Sequence, residues 1–447
     1  MEPRQILQKL QDSGADWLRI YWCDYTASVK CRIIPMSVIK RKLNDSQPVN
    51  IIIAQAGLCL LANNAMIPGE SGVGGFSLEP DWSSLTPGPI PRHISCFGEF
   101  KEKPDGSDAD LCPRTALRRS LKLASSVGLD FILGFEIEFV VMEHNTDPGS
   151  PEQYITLRSD GHAWTTARNL ADWGREGSFN TVLDELAGHL EAASIAIEQV
   201  HIEAAPGQYE IVLSPLPPLQ ACDSFLFARQ IIESTAARHG FRITLHPKPY
   251  LSAPGNAAHV HMSISSDGGN DPQVYESFYA GILTHLRAIT ACTYASPLSY
   301  VRMGDGCWSG GRWIGWGSEN RETPLRKCDQ GHWEFRLLDG MANPYLALAA
   351  ILGAGTIGVS EKIRLVWKDC EVDPATLTEA QRQELGITTQ LPQNLKEALD
   401  ALQADDRIVE LLHPTVVKRH VDIKQGEIAL LDSMADEERR QWVIARF

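Results

Sequence analysis

The 447-residue sequence contains no C-x-x-C pair; its ten cysteines lie scattered from Cys23 to Cys370. At this size and spacing a disulfide framework is not expected, and the thiols read as mostly buried and free in a reducing compartment. No G-x-x-x-x-G-K-[ST] phosphate loop is present, and Gly72-Val73-Gly74-Gly75 reads as a loop, not a phosphate cradle. Positive charge is scarce, with 41 Lys and Arg against 56 Asp and Glu, a net charge of −15. That balance argues against non-specific binding to nucleic acid or to an anionic membrane, which both reward a basic face. The longest uncharged apolar run, Tyr345 to Val359, is 15 residues interrupted by three glycines and is expected to be too short to cross a bilayer. The first residues, MEPRQILQKLQDSGADW, carry charge where a signal peptide needs an apolar centre, so a cytoplasmic location is expected. What remains, 43% apolar and 22% charged residues, is an ordinary globular composition with ample core.

Length suggests roughly two to three domains. Gln5 to Leu10 reads as a short helix, followed by strand-like runs Trp17–Cys23 and Val29–Ile34 around the polar segment DYTAS. Asn50 to Leu61 is a third apolar run, and the Gly-, Pro- and Ser-rich stretch from Pro68 to Pro91 favours loop. A composition shift at Pro104–Ala109 marks a linker, so residues 1–103 are taken as one domain and 104–447 as another. Pro113 opens a helix that Gly128 stops. Phe131–Met142 is β-rich, and strands and helices are then expected to alternate to the end. Asp223–Arg238 reads as a helix with Asp223 as N-cap, Phe241–His246 as a strand, and Tyr275–Thr293 as one long helix.

Four polar constellations stand out. In Phe135-Glu136-Ile137-Glu138-Phe139, residues two apart share a strand face, so both carboxylates point together. They repel unless a cation or solvent relieves them; a solvated strand face is the plainer alternative. In His201-Ile202-Glu203 through Glu210, a Pro-Gly turn separates Glu203 from Glu210, as across a hairpin, with Glu198 just ahead; ordinary acidic surface is the alternative. After Pro254-Gly255-Asn256-Ala257-Ala258 come His259 and His261, an H-x-H pair that shares one strand face and ends at Ser263. Arg302, Arg321, Arg326 and Arg336, with Glu334 two residues before the last, form an arginine set suited to carboxylate or phosphate oxygens. Five glutamates and a histidine suit Mg²⁺ or Mn²⁺ better than Zn²⁺, and arginines beside them suggest phosphoryl transfer.

The order of these motifs resembles the glutamine synthetase family over nearly the whole chain. Lys248 to Ser263 fits its ATP-region signature, GFEIEF its E-x-E strand, HIEAAPGQYE its H-x-E segment, and HWEFRLLDGMANPYLALAAILGAG its E-x-R strand and N-P-Y helix. The resemblance implies an α+β fold: a small N-terminal β-grasp domain, then a catalytic domain of curved antiparallel strands with flanking helices. It implies an ATP-dependent ligase that makes a γ-glutamyl phosphate and lets an amine displace the phosphate. It further implies a homo-oligomeric ring, decamer or dodecamer, with sites between subunits. By the same resemblance Glu138, Glu203 and Glu210 match the ligands of one metal, and Glu136, His259 and Glu334 those of another. Arg321 and Arg326 match the arginines on the transferring phosphoryl group. Arg302, Arg336 and the Gly255 backbone match the glutamate site, and Glu198, His261 and Ser263 the nucleotide site.

The departures concern the amine. Ammonia-using members carry a glutamate in an R-x-x-P-G-Y-E run; here Arg302-Met303-Gly304-Asp305-Gly306-Cys307-Trp308 places Trp308 at that position, and Asp305 falls three residues early. The family's F-D-G-S segment, a second carboxylate, has no counterpart in IIIAQAGLCLLANN. A tryptophan face suits an alkylammonium or aromatic amine, so an organic amine is expected over ammonia. Glutamate–ammonia ligation is the alternative, and a catalytically weak structural or signalling assembly is another. Pro254 replaces an Asn, and His332 an Arg, that are common in relatives; the regulatory tyrosine loop of many bacterial members is not apparent.

Overall fold

A computed structural model describes residues 2–103, 105–150, 152–157 and 178–447. Its α+β architecture rests on two sheets. The first has β1 (Trp17–Cys23), β2 (Val29–Pro35), β3 (Ile51–Ala54), β4 (Gly75–Pro80), β5 (Thr86–Pro87) and β6 (His93–Lys101). Its order is β2-β1-β6-β4-β3, with β5 on β6; β1 and β6 run parallel and the other pairs antiparallel.

The second sheet has nine strands: β7 (Phe131–His144), β8 (Tyr154–Thr156), β9 (Ile197–Ile202), β10 (Gln208–Leu213), β11 (Phe241–Thr244), β12 (Val260–Ile264), β13 (Trp316–Ser318), β14 (Leu325–Lys327) and β15 (His332–Phe335). They run β13-β14-β15-β12-β7-β10-β9, with β8 and β11 also on β7. β7 is the spine. Phe135, Ile137 and Phe139 enter a core that is continuous with Leu18 and Ile20 of β1, which leaves Glu136 and Glu138 on the opposite face.

A buried charge cluster fastens the first sheet to the surrounding helices. Arg114, on the Pro113–Ser126 helix, reaches Asp81 at 2.7 Å, Glu99 of β6 at 2.5 Å and Asp223 at 2.8 Å. Tyr345 Oη donates to the same Asp223 at 2.6 Å.

Several local expectations change. The Asp223 helix starts earlier, at Pro218, and runs to Arg238; Pro at its first turn needs no N–H, while the Asp223 carboxylate is committed to Arg114 and is not a cap. The expected helix Tyr275–Thr293 is two, Pro272–Thr284 and Leu286–Thr293, broken at His285, whose Nδ1 pairs with Asp405 at 2.7 Å. The stretch expected to be loop, Pro68–Pro91, contains β4, because alternating Phe76 and Leu78 are drawn into the core. Pro104 of the expected linker lies outside the described residues; Asp105 caps a turn at Ser107, and Asp108 bridges back to Lys101.

Strands and helices do not alternate to the end. Among the described residues no strand follows β15, and every later element is a helix joined by loops. The Pro344–Glu361 helix has 18 residues, apolar enough by composition to cross a membrane, but 83% of that stretch is buried inside the protein. It is apolar all round because neighbours pack on every side.

Candidate active site

The site grows from the polar face of β7. Antiparallel pairing sets Glu138 opposite Glu210 of β10, and Glu210 opposite His201 of β9. On the other edge, β12 places His261 beside Gly134 of β7 and beside Glu334 of β15, and β14 places Arg326 beside Glu334. His259 lies one residue before β12, its carbonyl accepting from the Glu136 N–H at 3.0 Å. Six strands thus aim their polar side chains at one patch.

His259 is the hub. Its Nδ1 lies 2.9 Å from Glu136, 3.4 Å from Glu334 and 3.7 Å from Glu138. Two ligand-sized groups share it: Glu136, His259 and Glu334, and Glu138, Glu210 and His259. Glu203 falls to the side, grouped with His201 and Glu210. The set expected from resemblance as Glu138, Glu203 and Glu210 is therefore joined through Glu210.

Burial and the mutual repulsion of the carboxylates dominate the electrostatics of the cluster. Burial pushes the Glu210 carboxyl up to about 10, helped by the fields of Glu136, Glu138, Glu203 and Glu334. Burial also pushes Glu138 up to about 8, against the pull of Arg302. Burial works to raise Glu136 too, yet hydrogen bonds with His259 and His261 hold it well below the usual carboxyl range. Burial depresses His259 to about 4. Burial opposes protonation of His261 as well, but its partners Cys328 and Glu136 raise it to about 10.

Gln208 is a support that sequence reading missed. Its Nε2 donates to Glu138 at 2.9 Å, to the Gly255 carbonyl at 3.0 Å and to Asn256 at 3.0 Å. Ala257 N–H also donates to Glu138 at 2.9 Å. Gly255 has no room for a side chain, since a Cβ there would stand 2.2 Å from the Pro247 carbonyl and 3.1 Å from Arg302 Cγ.

The arginines divide. Arg336 is buried, pairs with Glu334, and donates from Nη2 to the Trp308 carbonyl at 2.7 Å. Arg302 is buried, reaches Tyr294 Oη, and lies 3.3 Å from His259 Nε2. Arg326 joins Glu334 at 3.1 Å and also pairs with Glu319. Arg321 does not join this cluster: its side chain is exposed at the rim, and its carbonyl accepts from Gly310 N–H at 3.1 Å.

Trp308 stands beside the buried arginines with its side chain 52% exposed and its backbone at φ 55°. Its N–H donates to Glu322 Oε1 at 2.8 Å. Sequence reading missed Glu322, which is buried beneath this loop; nothing in its spacing marks it, because a separate loop supplies its partner. Glu198, His261 and Ser263 do come together, lining with Glu136 and His332 a pocket of about 320 Å³. Glu198 accepts there from Ser214 Oγ at 2.6 Å.

Comparison with known proteins agrees with this geometry. The family described as the glutamine synthetase catalytic domain matches residues 110–443. Protein fluG of Emericella nidulans is 36% identical over 99% of this chain, and the chain spans about half (50%) of that relative's length. Gamma-glutamylpolyamine synthetase GlnA3 of Streptomyces coelicolor is 31% identical over 74% of this chain and 72% of its own. Among solved structures, a GmaS/ADP complex superposes with a TM-score of 0.81 at 25% identity, covering 98% of this chain and 99% of that one.

Proposed function

Because the chain belongs to the glutamine synthetase family, we propose that it is an ATP-dependent ligase joining a glutamate-type acid to an organic amine in preference to ammonia. The observation that carries the amine preference is Trp308. At the position where ammonia-using relatives carry a glutamate, an indole is presented half-exposed, with its backbone held at both ends by Glu322 and Arg336. An aromatic face attracts an alkylammonium, whereas a desolvated ammonium ion needs anionic or acceptor partners. The 31% identity to a gamma-glutamylpolyamine synthetase supports the same choice.

The donor set fits hard divalent cations. Its ligands are carboxylate oxygens plus one imidazole, and burial among like charges raises two of the carboxyls, Glu138 and Glu210, a cost that a divalent ion would offset. In this reading Glu138, Glu203 and Glu210 hold one Mg²⁺ or Mn²⁺, and Glu136, His259 and Glu334 another. When bound, the ions neutralise the charge of the triphosphate and the acid.

The chain's own groups then do the following. Glu198, His261 and Ser263 seat ATP. Arg302, Arg336 and the Gly255 backbone orient the acid so that a carboxylate oxygen attacks the γ-phosphorus and ADP leaves. Arg326, with Arg321 swinging in from the rim, offsets charge on the transferring phosphoryl group. The alkylammonium held against Trp308 first gives up one proton to solvent; the neutral nitrogen then attacks the acyl carbon of the γ-glutamyl phosphate, inorganic phosphate leaves, and the nitrogen loses a second proton to give the amide. A homo-oligomeric ring belongs to this reading.

The test is phosphate release with ATP, Mg²⁺ or Mn²⁺ and glutamate, varying ammonium against a panel of mono-, di- and polyamines. Turnover driven far better by an organic amine is the expected result. Ammonium as the best nucleophile would instead make the chain a glutamate–ammonia ligase.

A further inference from the structure

A second, chemically different ligand cluster adjoins the carboxylate set. His261, Cys328 and His332 each present one ligand atom, all within 4.8 Å of one another. His261 Nδ1 and His332 Nε2 face each other at 2.8 Å. Each ring is held by its far nitrogen: His261 Nε2 by Glu136 Oε1 at 3.1 Å, and His332 Nδ1 by Ser263 Oγ at 3.1 Å. Cys328 is placed by the turn from β14 to β15, where its N–H and that of Asp329 both donate to the His332 carbonyl at 3.0 Å.

We propose that His261, Cys328 and His332 bind one zinc-class cation, separate from the oxygen-rich set, and that its presence excludes the nucleotide. Two imidazoles and a thiolate are the donors that borderline-soft Zn²⁺ favours and that Mg²⁺ does not. The outer contacts are those a metal-bound histidine needs, because a carboxylate or hydroxyl on the far nitrogen leaves the near one as ligand. A tetrahedral ion with Zn–N of about 2.0–2.1 Å wants its nitrogens about 3.3 Å apart, so the rings, which now meet end-on with centroids 5.1 Å apart, need to part by about half an ångström and tilt so that both nitrogens aim at one point. The cation replaces the proton between the rings and the thiol proton, and both protons pass to solvent. Three protein ligands leave a fourth position. His261 and His332 line the pocket of about 320 Å³ together with Glu198 and Ser263, so an ion between them stands where the nucleotide would enter. The exclusion half rests on the ligase reading of that pocket; the cation site does not.

Cobalt is the probe, added to the purified full chain in excess Mg²⁺. One equivalent is expected to give a near-ultraviolet thiolate-to-cobalt absorption band that Zn²⁺ abolishes. Cys328→Ser should lose the band and bind the ion roughly 10- to 100-fold more weakly or worse. Zinc X-ray absorption on the unmodified chain should show two nitrogens and one sulfur, and needs no folded variant. A fluorescent ATP analogue should bind the native chain roughly tenfold more weakly with Zn²⁺ present, and Cys328→Ser should be spared. Cobalt that binds with oxygen-only spectra, or zinc without a sulfur neighbour, overturns the site. A sulfur-ligated ion with unchanged analogue binding overturns the exclusion. If the analogue fails to bind even without zinc, the ligase reading fails while the cation site stands on its spectrum.

Discussion

Arg336 and Trp308 are joined through backbone, with Nη2 of the arginine donating to the tryptophan carbonyl at 2.7 Å while the same guanidinium pairs with Glu334. The indole's position is thereby tied to a carboxylate of the candidate metal set. A change in that set reaches the proposed amine face through one buried side chain.

Trp308→Glu should shift selectivity toward ammonium. A cation–π contact at a partly exposed ring is worth about 0.5–2 kcal/mol, so kcat/KM for the best organic amine should fall roughly 2- to 30-fold. The ratio of ammonium to amine turnover is the measurement, and an unchanged ratio would remove Trp308 from the amine site.

Metal should matter more to stability as pH rises. Glu138 and Glu210 have folded values raised to about 8 and about 10. Their contribution to the metal-free protein is fully present below the ordinary carboxyl range and is lost as pH rises through about 8 and then about 10. Bound Mg²⁺ or Mn²⁺ reverses this by taking the ionised carboxylates as ligands. The difference in Tm between metal-loaded and chelator-treated protein should therefore widen from pH 5 to pH 8; a constant or shrinking difference would contradict the assignment.

Gly255→Ala should damage both fold and acid binding. The added Cβ would meet the Pro247 carbonyl at 2.2 Å, and Arg302 is next in line at 3.1 Å. Overpacking of this kind costs about 1–3 kcal/mol, and displacement of Arg302 should raise KM for the acid more than KM for ATP. Thermal melts and a two-substrate kinetic grid separate the effects.

Arg114→Met should destabilise by about 3–5 kcal/mol, because Asp223 stays buried without its cation, while Glu99 loses one of its partners and keeps Arg118 and Lys101. Adding Glu99→Gln and Asp223→Asn should recover part of that loss. Denaturant midpoints of the single and triple variants test this, and a triple variant less stable than the single would refute it.

The site was more legible in the sequence than the fold's finer boundaries, for a physical reason. Glu136 and Glu138 declare a shared face by alternation, and Glu203 and Glu210 declare a hairpin through the Pro-Gly between them. Such signals are local. Gln208 and Glu322 carry none: each acquires its role when a distant loop closes on it, Gly255 with Asn256 in one case and Trp308 in the other. The start at Pro218 was obscured by Asp223, a good cap that a buried arginine claims instead. The break at His285 depends on Asp405, 120 residues away.

β7 serves two masters along one stretch of chain. Its even-numbered acids face the candidate cation site, and its odd-numbered aromatic and aliphatic neighbours fill the core. Inserting or deleting a single residue just before Phe135 would carry both acids into the hydrophobic interior and Phe135 and Phe139 toward the cation site. Substitutions in this segment can be graded in effect, but changes in its length cannot. Natural variants of the chain should therefore tolerate altered side chains along β7 far more often than any gain or loss of a residue within it.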